Sequence, residues 1–155
     1  MEFLTLPRTI DIDEIGNRHL LYKEYLSLNK SKLNKTISEI MDSEWYFDWS
    51  NHKCPHDSWL REFNIKCSGG NIKINILLLG AFHDLFIRYS YDKVKSYEIN
   101  FSGRSSELEW DIDEFIIDPN GFNVHSIRFV NGVKWKISFE GQFKVEFDQI
   151  DSLDT

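Results

Sequence analysis

The sequence predicts an α+β protein in which N-terminal helices are followed by an antiparallel β-meander forming a curved sheet or a partly open barrel. Three observations predict it. Apolar residues recur at three- and four-residue steps over the first third, they alternate from Trp59 onward, and turn dipeptides separate the alternating runs. Parallel strands would need helical crossovers, and no helical pattern interrupts the strands. The 155 residues, 41% hydrophobic and 15% aromatic, suit one domain over 1–155, with a helical segment 1–43 and a sheet 57–148.

The first helix is expected after Pro7 and the polar run Asp11 to Glu14, with Leu20, Leu21, Tyr25 and Leu28 as its apolar side. A second is expected near Ser31 to Asp42, where Leu33, Ile37, Ile40 and Met41 repeat and Ser31 or Asn34 could cap the start. Glu44 to His56, aromatic and then polar before Pro55, reads as a connector that packs by its tryptophans. Strands are expected at about 59–66, 72–79, 84–91, 95–101, 108–117, 122–130, 133–139 and 143–147. Gly69-Gly70, Tyr91-Asp92, Pro119-Asn120-Gly121, Asn131-Gly132 and Glu140-Gly141 supply the turns, Asn-Gly being the strongest short hairpin signal. The polar tail from Asp148 to Thr155 is expected to fray.

Charge narrows the function. The formal net charge is −7, and from Ser105 through Ile127 there are six acids and no Lys or Arg. Such a chain is a poor binder of nucleic acid or of an anionic membrane, since both require clustered Lys and Arg. The start Met-Glu-Phe-Leu-Thr-Leu-Pro is unlike a signal peptide, so a cytoplasmic protein is expected, and Cys54 and Cys67 are expected to be thiols. No cofactor is implied.

The acids have a pattern. Glu107, Glu109, Asp111 and Asp113 alternate with Leu108, Trp110 and Ile112, so on a strand the carboxylates line one side and the apolar residues the other. Carboxylates two positions apart repel, so the row is a solvated face, a surface shaped for a cationic partner, or a face neutralised by Arg128, Lys134, Lys136 or Lys144 on neighbouring strands. Glu114 and Asp118 would form its rim. Of the five tryptophans most fall where a core is needed, and Trp49, in the connector, is the candidate for an exposed interface anchor.

Catalytic constellations are weak. His52, Cys54, His56 and Cys67 have zinc-ligand chemistry, but three crowd into five residues and the fourth stands beyond a strand. His56-Asp57-Ser58 holds the side chains of a hydrolase triad, yet triad members meet from separate elements, so a turn cap and a backbone-bonded histidine are expected there. His125 shares a strand face with Ile127 and Phe129 and reads as a packing residue.

The run His56-Asp57-Ser58-Trp59-Leu60, then Asp84-Leu85-Phe86-Ile87-Arg88-Tyr89 with Val94 and Tyr97, and Asp113-Glu114-Phe115, Gly121-Phe122 and His125-Ser126-Ile127-Arg128-Phe129, resembles uncharacterised small bacterial proteins found beside polymorphic toxins. The likeness covers about 55–147. It implies an immunity protein, a non-enzymatic inhibitor of a toxin delivered by a neighbouring cell in contact-dependent growth inhibition. The partner would be a cognate toxin domain of basic, nuclease type, met by a monomer or weak dimer through the acidic residues. Two alternatives stand beside it: a small-ligand or metal-binding enzyme centred on His52, Cys54, His56 and Cys67, and a structural protein that oligomerises through a sheet edge.

Overall fold

The computed structural model describes residues 1–101 and 108–150. Two helices, α1 (Ile12–Asn29) and α2 (Lys35–Met41), precede eight strands: β1 (Trp59–Ser68), β2 (Asn71–Leu79), β3 (Leu85–Tyr91), β4 (Val94–Glu98), β5 (Trp110–Ile117), β6 (Asn123–Phe129), β7 (Lys134–Phe139) and β8 (Phe143–Gln149). The α+β class and all eight strand positions agree with the alternation in the sequence. The polar end of β8 stays in register with β3, Asp148 opposite Phe86 and Gln149 opposite Leu85, so the chain does not fray at Asp148. Residues 151–155, the rest of the expected loose tail, lie outside the described residues.

Connectivity follows a meander through β1–β2–β3 and β5–β6–β7 and departs from it where the chain changes sheets. The strands form two four-stranded antiparallel sheets, ordered β1-β2-β3-β8 and β4-β7-β6-β5, and neither is a closed barrel. The turns at Tyr91-Asp92 and Glu140-Gly141 are corners between the sheets, whereas Asn131-Gly132 does close the β6–β7 hairpin, with Gly132 at φ +89°. The outgoing and returning corners are bonded to each other. Asp92 N donates to Gln142 O at 2.9 Å, Gly141 N to Asp92 O at 3.1 Å and Glu140 N to Lys93 O at 3.1 Å. A Cβ on Gly141 would meet Asp92 O at 2.8 Å, so this approach of two backbones requires glycine. Alternation reports which face a residue occupies and is silent on which strand lies beside it, so a corner and a hairpin look alike in sequence.

The inner faces of the sheets share one cluster of buried side chains that includes Ile76, Ile87, Tyr89, Trp110, Phe115, Phe129, Trp135 and Phe143. Aromatic contacts bridge the sheets: Tyr89 lies on Trp110 at 5.0 Å, Phe63 meets Trp135 edge-on at 5.3 Å, and Phe115 meets Phe143 at 5.1 Å. Trp135 is buried between Lys134 and Lys136 on a half-buried strand, as its alternation predicts. The connector runs through turns, and its Trp45 packs edge-on against Tyr46 and Phe147.

Both helices start on side-chain caps. Asp11 accepts from the N–H groups of Asp13 and Glu14, and of the two candidate caps for α2 it is Asn34 that accepts, from Thr36 N. The buried side of α1 differs from the expected leucine stripe. Leu20, Leu21 and Leu28 face solvent, and Tyr22 is the buried residue. The reason is the edge of β5, the last strand of its sheet, whose outer N–H and C=O groups need partners. Tyr22 Oη accepts from Phe115 N at 2.7 Å and donates to Phe115 O at 3.0 Å, while Tyr25 Oη accepts from Ile117 N at 2.8 Å. The start of β5 is covered by main chain, with Asp57 N donating to Trp110 O and Trp110 N to Ser58 O, both at 2.8 Å. No helix among the described residues is long and apolar enough to cross a membrane.

Tyr22→Phe keeps the ring and removes the group that closes the β5 edge. It is expected to cost about 1–3 kcal/mol, the penalty of unpaired buried polar groups. The check is the urea midpoint at constant m-value, and a midpoint equal to the parent protein's would show that the hydroxyl does not hold the edge.

Candidate functional site

The acidic strand does not present a solvated row. Asp111, Asp113 and Glu114 are buried, each engaged by its own chain, so the expectation that they share an exposed face is corrected. A β-bulge causes this. Trp110 pairs with Phe129 and Ile112 with the adjacent Arg128, leaving Asp111 as an extra residue. One extra residue exchanges the faces of everything after it. Beyond the bulge, Asp113 and Phe115 join Trp110 on the core side, opposite Ile127 and His125, while Ile112 and Glu114 turn to the outer side.

Each acid has a separate set of partners. Asp113 lies in the core, where its Oδ2 accepts from Tyr46 Oη at 2.5 Å and His125 Nε2 at 2.6 Å and its Oδ1 from Trp110 Nε1 at 3.1 Å. Tyr89 Oη stands 2.9 Å from Tyr46 Oη, and Tyr91 Oη 2.5 Å from His125 Nδ1. With Tyr46 donating to the carboxylate and Tyr91 to the imidazole, every proton of the relay points toward Asp113. Burial, with the Asp113 charge acting in the same direction, pushes the hydroxyls of Tyr46, Tyr89 and Tyr91 well above their ordinary pKa of 10.0. His125 is thus a satisfied core histidine, and its acid partner stands on the adjacent strand.

Glu114 holds the N-terminal segment. Its carboxylate accepts from Phe3 N and Leu4 N, both at 2.9 Å, and from Thr5 Oγ1 at 2.5 Å. Asp111 is held by Arg128, whose Nε and Nη2 donate to Oδ2 at 3.0 and 2.7 Å, and Arg128 Nη1 reaches the carbonyls of Leu4 and Leu6. Of the four bases considered as neutralising neighbours, Arg128 has this role. Lys134 and Lys136 pair with Glu2, at 2.5 and 3.3 Å, and Lys144 belongs to the other sheet. Asp118 closes the β5–β6 turn, accepting from Asn120 N and Phe122 N at 2.9 Å, and is no rim charge beside the other acids. Glu107 lies outside the described residues.

Glu109 and Trp49 remain at the surface, and they converge. The Trp49 indole stacks on the His56 imidazole with centroids 3.8 Å apart and planes 7° apart, yet 61% of Trp49 is exposed. His56 is fixed from behind, its Nδ1 donating to the main-chain oxygen of Asp111 at 2.7 Å while Nε2 lies 3.3 Å from Asp57 Oδ1. Asp57 stands at φ +64°, a left-handed conformation that Asp tolerates better than most residues. Glu109 lies beside it, and its pKa is raised by partial burial and then by sharing a hydrogen bond and like charge with Asp57. Around one rigid aromatic pair the surface therefore carries two carboxyl groups with no lysine or arginine among the interactions that set Glu109's proton affinity.

Next to the stack is a cleft of about 180 Å³ between the N-terminal segment, α1 and the outer side of β5. Arg8, Arg18 and Arg128 line it with His19, Trp49 and His56. Nothing in the sequence marked Arg8, Arg18 or His19 as a group. They meet because Glu114 and Tyr22 fasten the chain start and α1 onto β5.

The four zinc-type residues do not converge. Cys54 is buried with its thiol donating to Tyr46 O at 2.9 Å, Cys67 is exposed near the β1–β2 turn, and His56 is taken up by Trp49. His52 pairs with Asp84 at 2.5 Å and stacks on Phe82. Among the described residues no group of three or more His, Cys, Asp or Glu is arranged to hold a metal ion. Comparison with known protein families, curated proteins and solved structures gives no match.

Two outcomes are expected from this interior chemistry. Burial pushes the Cys54 thiol up to about 12, so in the native protein a thiol reagent at neutral pH titrates Cys67 alone, and Cys54 follows only on unfolding. Two equally fast thiols would contradict the burial of Cys54. Tyr22, Tyr46, Tyr89 and Tyr91 all have raised folded-state values, so the stability they confer is complete below the unfolded pKa of about 10. It is lost as pH rises above that, by up to about 1.4 kcal/mol per unit for each tyrosine. Tyrosinate absorbance from these four should appear together with unfolding, and their independent titration near pH 10.0 in folded protein would refute the buried relay.

Proposed function

We propose that the protein is an immunity protein, a non-enzymatic cytoplasmic inhibitor that binds and blocks a cognate toxin one-to-one. The observation that carries this reading is Trp49, half-embedded by its stack on His56 and otherwise open to solvent. A large aromatic that is already immobilised loses little entropy on binding, and such residues dominate the energy of protein interfaces. Asp57 and Glu109 beside it give the contact its sign. Glu109, whose proton affinity is raised by burial and by its neighbour Asp57, gains from a lysine or arginine placed beside the pair, which suits a basic, nuclease-type toxin. The contact surface is accordingly centred on Trp49, Asp57 and Glu109, and Asp111, Asp113 and Glu114 act behind it by holding His56, the core and the chain start.

The histidines, acids and thiol that resembled catalytic groups in sequence are largely engaged by main chain or by one another, which favours a binding role over the metal-enzyme alternative. The test is co-expression with the toxin domain encoded beside the gene, followed by measured binding. Growth should be restored, and Trp49→Ala should weaken binding by at least ~30-fold, the equivalent of about 2 kcal/mol. Glu109→Lys combined with Asp57→Asn, a residue that tolerates the left-handed backbone, should slow association and flatten its salt dependence. A toxin that kills regardless of co-expression, or binding indifferent to all three substitutions, would sink the proposal.

A further inference from the structure

We propose that the cleft beside Trp49 is a binding site for a small organic carboxylate or phosphate, whose charge is taken by Arg8 and whose body lies against the Trp49–His56 stack. This goes beyond the toxin-binding reading and does not depend on it. In a chain of net charge −7, three of the six arginines line this one cleft. Their donors are unequally occupied. Arg128 is held by Asp111 and by two main-chain carbonyls, and Arg18 by Glu14 at 2.7 Å and Leu6 O at 3.4 Å. Arg8 has no such set: its Nε lies 4.0 Å from Asp111 Oδ2, an oxygen that already accepts two bonds from Arg128. Its side chain is 60% exposed, so a guanidinium with five donors stands at the cleft with that distant contact as its nearest ion pair among the described residues.

Of the remaining lining, Asp111 is an acid whose Oδ2 is taken up by Arg128, and the rest fits the body of such a ligand. Leu4, Ile15 and Ile112 are apolar, and the stacked rings give a flat wall. Burial lowers the pKa of His19, which favours a neutral imidazole able to donate or accept one hydrogen bond. The volume, about 180 Å³, holds about six waters at ~30 Å³ each, which selects a compact ligand such as a single ring with one acidic group. Arg–carboxylate and Arg–phosphate pairs are frequently bidentate, a geometry in which one arginine suffices to orient it.

The full-length protein titrated with benzoate, benzamide and inorganic phosphate separates the contributions. Benzoate should bind saturably with a shift of the Trp49 indole resonance, phosphate more weakly, and neutral benzamide not at all. Arg8→Ala should weaken benzoate at least ~tenfold, in line with loss of a charge-assisted bond, whereas Lys66→Ala, on the far hairpin, should leave it unchanged. Arg8 is exposed, and an unchanged urea midpoint will show that its variant is folded. Absence of saturation, equal binding of benzamide and benzoate, an unaltered Arg8→Ala affinity, or displacement by equimolar chloride would each overturn the proposal.

Discussion

One buried carboxylate organises the two sheets. Taking Asp113 out of water costs several kcal/mol, and the cost is offset only where enough donors surround it. The donors come from four places: Tyr46 from the connector, Trp110 from the start of the same strand, His125 from β6, and behind them Tyr89 and Tyr91 from β3 of the other sheet. The relay therefore ties β3 to β5 and β6 across the sandwich and draws the connector onto both. Replacing any one donor leaves a charged acceptor short in a medium where polar contacts are strong in both directions.

The bulge at Asp111 makes that arrangement possible. Without the extra residue, Asp113 would face outward and Ile112 inward, and β5 would read as an ordinary amphipathic edge. With it, one strand sends a carboxylate to the core and two others, Asp111 and Glu114, to the outer side. There they fasten Arg128 and the chain start. The exposed edge that remains is closed by tyrosine hydroxyls from α1, so the helix is placed by hydrogen bonds to a strand edge more than by its own apolar residues. This explains why leucines of α1 are left in solvent.

These interior demands also set the surface. His56 is oriented by a carbonyl at the bulge, Trp49 rests on His56, and Arg8 reaches the region through the segment that Glu114 anchors. The aromatic contact surface and the cationic cleft are thus two outcomes of one piece of backbone geometry. A protein with an acidic sequence carries in this region both carboxyl groups, at Asp57 and Glu109, and the guanidinium groups that line the cleft.

Much of the architecture was legible in the sequence. Helical spacing placed α2, alternation placed all eight strands, and His125 read as core because Ile127 and Phe129 share its face. Trp49 stood out as exposed because it falls in a connector with no alternating partner. The acids could not be read in the same way, since a bulge leaves no mark in residue order and reverses every later assignment. The sheet order was hidden because a corner and a hairpin use the same turn residues, and the site's arginines because their meeting depends on long-range anchors. By itself the sequence determined the α+β class and the approximate position of each strand, which are local consequences of residue period. Tertiary structure alone decided which strands pair, which acids are buried and which cations meet, because these depend on groups distant in the chain being brought together, Leu4 and Glu114 among them.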